Sequence, residues 1–167
     1  MKQFILTIES LSPAQVQKKL DENHIFINHY AKQFFSHPLF SSGYTGTITV
    51  SIAALDEIGF ENGATLDEIL KRLPSIGLKP CPPDTGLFLR LAWLDQPQSQ
   101  NSILSGTHRS PDQAVTVFST FLEQNDDFPK GLYLRNVDGN LWLRGYICDD
   151  SYQFPKDALF AFESIMP

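Results

Sequence analysis

The chain has 167 residues, of which 42% are hydrophobic and 19% are charged, and its formal net charge at pH 7 is −6. A chain of this length and composition can bury a hydrophobic core of its own, which excludes an intrinsically disordered protein. The acidic balance also argues against nucleic-acid binding through the overall field of the protein, because a phosphate backbone attracts basic surfaces.

Helix signals dominate the first part of the chain. A short strand is predicted at Phe4–Ile8. Ser12–Gln15 then combines a capping box with proline at the first helical position, which predicts a helix to about Glu22. Asn28 predicts the start of a second helix, and His37-Pro38 predicts its end.

The remainder of the chain is mainly strand-like. Thr47–Ile52 alternates as a strand does, and the capping box Thr65–Glu68 predicts a helix with an apolar stripe from Leu66 to Leu73. Later apolar runs predict strands at Leu87–Leu94, Val115–Leu122, Leu132–Val137, Leu141–Ile147 and Leu159–Phe162.

These elements predict an α+β fold, with N-terminal helices packed on a mostly antiparallel β-sheet formed largely by the C-terminal two-thirds of the chain. Leu87–Leu94 is apolar on both faces and is therefore the expected central strand. We expect a single domain over residues 1–167. Residues 1–43 would form a mainly helical part, and residues 44–167 a β-rich part with one helix near 65–73.

A hairpin is the most informative local feature for function. Asp138-Gly139 is a strong two-residue turn signal between two strand-like runs. With those residues in the turn, Leu134 lies opposite Leu143 on the core face, together with Leu132, Leu141 and Ile147. The other face collects the candidate binding residues Tyr133, Arg135, Trp142, Arg144 and Tyr146.

Arginine and aromatic side chains on one face can anchor a protein partner or stack on unpaired bases. The structural alternative is that they only stabilise a solvated hairpin by cross-strand pairing. We therefore consider a non-catalytic protein-interaction module first, and a single-strand nucleic-acid binder last, because the net charge opposes it.

A small hydrolase or nuclease is the enzymatic alternative. Its candidate catalytic residues are His108, Cys81, Asp84, Arg90 and Asp95. The sequence contains no phosphate-binding loop, dinucleotide glycine pattern or nucleophile elbow, and no spacing typical of a metal site. We therefore expect neither a cofactor nor a metal.

Arg90 and Cys81 each have a structural interpretation beside the catalytic one. A buried Arg90 needs a carboxylate partner or a stem that reaches solvent, and otherwise it would bind an anion at the floor of a pocket. Cys81 has no cationic neighbour in the sequence and is followed by Asp84, which opposes thiolate formation. A buried structural thiol is therefore favoured over a nucleophile.

The lengths of the apolar runs and the number of cysteines bear on compartment and membrane association. No apolar run has the length of a membrane span or a signal-peptide core, which favours a cytoplasmic protein, with export by a non-classical route as the alternative. Cys81 and Cys148 fit a reducing compartment, and one disulfide between them is the alternative.

One segment resembles a widespread family of uncharacterised bacterial proteins. Gly77-Leu78, Cys81-Pro82, Gly86, Leu89-Arg90-Leu91 and Asp95-Gln96-Pro97 follow the order of a family segment of the type LGLxLCPxxxGxxLRLxxxDQP. Ile58–Ala64 is similar to a glycine-containing element that precedes this segment in the family. The resemblance extends over most of the chain from the second helix onward, and departs at Ser99–Ser110, where the family carries an apolar-aromatic strand. It implies a β-rich fold and a bacterial setting, and no activity.

Overall fold

The computed structural model of the protein describes residues 1–41, 43–99 and 113–165. In chain order its elements are β1 Lys2–Ile8, α1 Pro13–Glu22, β2 Phe26–Ile27, α2 His29–Phe35, β3 Gly46–Ala54, α3 Leu66–Arg72, β4 Leu78–Lys79, α4 Thr85–Ala92, β5 Val115–Val117, β6 Gly131–Val137, β7 Asn140–Tyr146 and β8 Leu159–Ser164. Short 3₁₀ helices lie at Asp56–Ile58 and Leu73–Ile76. None of the helices in the described ranges is long and apolar enough to cross a membrane.

The strands form one mixed sheet in the order β1-β3-β8-β5-β6-β7-β2, with β4 beside β8, and this sheet curls into a half-barrel. β5 runs parallel to β8, and β2 runs parallel to β7. The fold is therefore α+β, but the prediction of a mostly antiparallel sheet under N-terminal helices is wrong. β8 is the last strand in the chain and inserts between β3 and β5, and hydrophobic alternation does not encode the direction of such a non-sequential pairing.

Helices cover both faces of the sheet. One core cluster joins Leu20 of α1, Phe34 of α2 and Leu87 of α4 to strand residues of β1, β3, β6 and β7. A second cluster joins Ile69 of α3 to Phe160 of β8. Ala161 belongs to the first cluster and Phe160 to the second, and because successive strand residues point to opposite faces, the two clusters lie on opposite sides of the sheet.

The expected central strand Leu87–Leu94 is a helix. Residues Thr85–Ala92 form α4, which lies against β1, β6 and β7. Leu87 and Leu89 are fully buried. A short apolar run is compatible with either a buried strand or a buried helix, since periodicity cannot separate the two. The prediction was wrong because the less buried positions of this helix, Phe88, Leu91 and Ala92, are also apolar, so no polar face reveals its period.

The strand predicted at Val115–Leu122 ends early, at Val117. The segment after β4 lies against the continuing chain, where the Cys81 amide donates to the carbonyl of Phe118 and the Thr120 amide donates to the carbonyl of Cys81. This contact is long-range and leaves no local sequence signal. The predicted strands at β1, β3, β6, β7 and β8 are confirmed, as are the capped helices α1, α2 and α3.

Candidate functional site

The hairpin of β6 and β7 has the register that the sequence predicts. Asp138 and Gly139 occupy the turn with φ angles of 53° and 83°, the left-handed region that a two-residue hairpin turn of this kind requires. Arg135 lies opposite Trp142, Tyr133 opposite Arg144, and Leu134 opposite Leu143. One member of the predicted core face differs, because Ile147 follows the end of β7 and is 39% exposed.

Four side chains form a continuous stack on one face of this hairpin. The Arg144 guanidinium lies 4.9 Å from the ring centroid of Trp142 and 5.9 Å from that of Tyr133. Its Nε donates a 2.7 Å hydrogen bond to the Tyr133 hydroxyl. The Trp142 ring in turn lies 5.2 Å from the ring of Phe26. We call Phe26, Trp142, Arg144 and Tyr133 the aromatic–arginine row.

Phe26 is the member that sequence reasoning missed. It lies in the two-residue strand β2, which pairs with β7 so that Phe26 is opposite Trp142. The Phe26 side chain is 46% exposed, while the other three members of the row are half-buried. The only local signal was an apolar residue two positions before the helix cap Asn28. Such a residue does not identify the strand with which β2 pairs.

Asn28 and Gly145 dock β2 and α2 onto β7. The Asn28 side chain donates from Nδ2 to the Gly145 carbonyl at 3.0 Å and accepts from the Gly145 amide at 2.8 Å. Gly145 has no side chain at a point where a Cβ would lie 2.5 Å from the Tyr30 carbonyl carbon. The absent side chain therefore permits the close approach that places Phe26 beside Trp142.

Of the other two predicted members of the binding face, Arg135 is buried and Tyr146 is partly buried. Arg135 is 3% exposed, and its Nε donates to the Ser99 hydroxyl at 3.2 Å, because the segment after Gln96 lies against β6. The Tyr146 ring packs against the second core cluster, and burial raises the pKa of its hydroxyl. The alternation of side chains along the two strands placed Arg135 and Tyr146 on the correct face of the hairpin. Arg135 is so deeply buried, however, that a partner could contact little of it.

Arg90 is fully buried at the contact between α4 and the hairpin. Its Nη1 donates to the side-chain oxygen of Gln96 at 2.6 Å and to the Trp142 carbonyl at 3.3 Å, and its Nη2 donates to the Trp93 carbonyl. Burial lowers the pKa of the guanidinium to about 10. Among the described residues, no carboxylate lies within ion-pair distance, so neutral oxygens solvate this charge in place of the salt bridge or exposed stem expected from the sequence.

Cys81 and Asp84 are also buried. The Cys81 thiol donates weakly to the Ala161 carbonyl at 3.8 Å. Burial, reinforced by the negative charge of Glu163, raises the pKa of this thiol. Burial raises the pKa of Asp84 to about 6, and its Oδ1 has no hydrogen-bond partner among the described residues. Both cysteines are free, so the alternative of a disulfide between them is not realised.

Asp95 and His108 are the two remaining catalytic candidates. Asp95 is exposed, whereas Arg90 is hydrogen-bonded to Gln96, the residue that follows Asp95. His108 lies outside the described residues. Within the described ranges, no group of three or more His, Cys, Asp or Glu side chains could hold a metal ion.

Comparison of the chain with protein-family models, with curated proteins and with solved structures finds no match. The resemblance to the bacterial family therefore stays a prediction. The geometry adds one relationship to it: Arg90 and Gln96, from two separate parts of the resembling segment, are hydrogen-bonded to each other.

Proposed function

We propose that this protein is a non-catalytic protein-binding module whose contact surface is the aromatic–arginine row. The observation that carries the proposal is the fixed position of the Arg144 guanidinium, which stacks on Trp142 and is hydrogen-bonded through Nε to Tyr133. Within the described part of the chain no carboxylate forms an ion pair with Arg144. Its Nη atoms can therefore donate to a partner.

The composition of the row supports this proposal. Tryptophan, tyrosine and arginine dominate the binding energy of protein interfaces, because they combine a large contact area with a polar group. The row is also ordered before any partner binds, since its members contact one another across β2, β7 and β6. A preordered surface loses less conformational entropy on association, which favours affinity.

The row fits a protein segment that brings an apolar side chain to Phe26 and an oxygen acceptor to Arg144. Phe26 supplies exposed apolar area at one end of the row, and Arg144 supplies the cation further along it. The setting we propose is the bacterial cytoplasm, on the basis of the family resemblance and of the two free thiols, which persist in a reducing compartment.

The first experiment is affinity capture from source-cell lysate with the wild type and with the variants Phe26→Ala, Trp142→Ala and Arg144→Ala. Leu70→Ala is the matched control, because Leu70 is a 39% exposed apolar residue on α3. Each captured protein is identified by mass spectrometry, and its affinity for the purified variants is then measured by calorimetry. We expect the row variants to weaken binding at least about tenfold and Leu70→Ala to leave it unchanged.

Partners that all the variants retain equally would remove the row as the contact surface, and so would a failure to capture any specific protein. Recovery of single-stranded nucleic acid with steeply salt-dependent affinity would favour the nucleic-acid alternative, in which the same rings stack on bases. The thermal midpoint of Phe26→Ala should remain close to that of the wild type, because the ring is about half exposed. A large fall in the midpoint would mean that the row stabilises the hairpin instead of binding a partner.

A further inference from the structure

In the part of the chain that the structure describes, β1 is an unpaired edge of the sheet. It pairs with β3 over seven consecutive residues, from Lys2 opposite Ile52 to Ile8 opposite Gly46, without a bulge. Among the described residues, no other strand pairs with β1, and no backbone hydrogen bond outside the strands involves it. The outer side of β1 therefore presents backbone donors and acceptors in the geometry that another strand could continue.

β1 also lacks the features that normally protect an edge strand. Natural edges carry proline, bulges, inward-pointing charges or several lysines, each of which discourages pairing with another chain. β1 contains no proline, and Lys2 at its first position is its one charged residue. In its middle, Ile5 is 76% exposed, more than any other large hydrophobic side chain among the described residues.

The order of residues in β1 is nearly symmetric about Ile5. In an antiparallel pairing of two copies centred there, Ile5 meets Ile5 and Gln3 meets Thr7 on the exposed face. Phe4 meets Leu6 on the core face. In these central pairs apolar residues meet apolar ones and polar residues meet polar ones, and only the outermost pair, Lys2 with Ile8, is mixed. A shift of one residue would place the exposed face of one copy beside the core face of the other. The alternation of side chains along the strand therefore favours registers in which residues on the same face meet.

The charged residues in and beside β1 lie at the ends of such a seam. In the register centred on Ile5, Lys2 of each copy lies opposite Ile8 of the other, and Glu9 follows the last residue of the strand. Between the two lysines the seam is uncharged, which limits the repulsion that a net charge of −6 causes between two copies.

From these observations we propose that the protein forms a two-fold symmetric dimer by antiparallel pairing of β1 with β1 about Ile5, which joins the two sheets into one. The interface is isologous, as in most homodimers. β1 and β2 lie at opposite ends of the strand order, so the dimer seam and the aromatic–arginine row are separate surfaces. The dimer can therefore be tested independently of partner binding.

The test is sedimentation of the full chain between about 1 µM and about 100 µM, with Ile5→Lys as the disrupting variant. We expect the wild type to show a dimer mass in this range and Ile5→Lys to raise the dissociation constant at least about tenfold, because two lysines would meet on the two-fold axis. Leu70→Lys is the matched control and should leave the dissociation constant unchanged. The exposure of Ile5 means that Ile5→Lys should retain the circular dichroism and thermal midpoint of the wild type.

The register is tested by cross-linking. Mild oxidation should cross-link the Ile5→Cys variant more rapidly than Gln3→Cys, since only position 5 meets itself at the seam. A wild type that remains monomeric at the highest concentration would overturn the proposal. A dimer that is insensitive to Ile5→Lys would do the same.

Discussion

Arg90 and Gln96 form a 2.6 Å hydrogen bond, from Nη1 of the guanidinium to the side-chain oxygen of the amide, inside the contact between α4 and the hairpin. The Gln96 side chain also donates from Nε2 to the carbonyls of Gln113 and Leu134, at 2.9 and 3.2 Å. Gln96 therefore solvates a buried cation and links the segment after α4 to β6. A buried charge is costly unless such partners surround it.

We predict that Gln96→Ala lowers the free energy of unfolding by about 2–4 kcal/mol, because it removes a partner of the buried guanidinium and leaves two carbonyls without their donor. Urea denaturation at neutral pH measures the loss. Gln98→Ala is the control: Gln98 is exposed, and its side chain donates to Asp138 at 3.3 Å, so its loss should cost less than about 0.5 kcal/mol. Equal effects of the two substitutions would show that Arg90 does not depend on Gln96.

The buried carboxyl of Asp84 should make stability depend on pH. Its folded-state pKa is raised to about 6 from the usual 3.8 because of burial. Between these values the unfolded chain loses the proton first, so the free energy of unfolding falls as the pH rises from about 4 to about 6 and stays reduced above that range. Asp84→Asn should remove this fall and be more stable than the wild type at pH 7–8 by about 1–3 kcal/mol.

The Asp84 prediction is checked by urea denaturation of both proteins at several pH values between 3.5 and 8. Asp95→Asn is the control, because Asp95 is an exposed aspartate in the same part of the chain. Its unfolding free energy should follow that of the wild type within about 0.5 kcal/mol at each pH. An Asp84→Asn curve parallel to the wild-type curve would mean that the Asp84 carboxyl titrates normally.

The sequence was sufficient to predict the hairpin because its determinants are local. Asp138-Gly139 sets both the turn type and the loop length, and these fix which residues face each other in β6 and β7. Capping residues identified the start of α1, α2 and α3 for the same reason. Where a short stretch of chain determines its own geometry, the residue types identify it.

Long-range contacts account for the features that could not be predicted. α4 is apolar on its less buried side as well as on its buried side, so only its packing against the sheet identifies it as a helix. The parallel pairing of β8 with β5 joins strands that are far apart in the chain. The burial of Arg135 depends on the segment that includes Ser99, and the exposure of Phe26 beside Trp142 depends on the two-residue strand β2. The candidate surface was therefore predicted in part, through its hairpin members, and completed by a residue that no local pattern indicates.

The contact between Asn28 and Gly145 gives a further prediction. Asn28→Ala removes two hydrogen bonds to the Gly145 backbone and the cap bond from the Ala31 amide at 2.9 Å. We expect a loss of about 2–4 kcal/mol in the free energy of unfolding, measured by urea denaturation. Asn23→Ala is the control, because Asn23 is exposed and its side chain donates to the Lys19 carbonyl at the end of α1, and its loss should cost less than about 1 kcal/mol. A cost as small as that of the control would show that α2 docks without Asn28.

The two free thiols should both be slow nucleophiles in the folded protein. Burial raises the pKa of the half-buried Cys148 thiol to about 11, so at pH 8 its thiolate fraction is about a hundredfold below that of a free cysteine. Cys81 is fully buried and its pKa is also raised by burial. The Cys81 thiol should therefore react with a reagent only when the structure opens locally.

The measurement is the rate of reaction with a chromogenic disulfide at pH 8, with and without denaturant. Cys148→Ser leaves Cys81 as the only thiol, and this variant should react only at the rate at which the structure opens. Cys81→Ser leaves Cys148 as the only thiol, and this variant should react faster than Cys148→Ser but much more slowly than a free cysteine. In denaturant both variants should react at the rate of an unperturbed cysteine, which confirms that each thiol is intact. Rapid reaction of Cys81 in the folded Cys148→Ser protein would instead indicate an accessible thiolate, and would return Cys81 to consideration as a catalytic nucleophile.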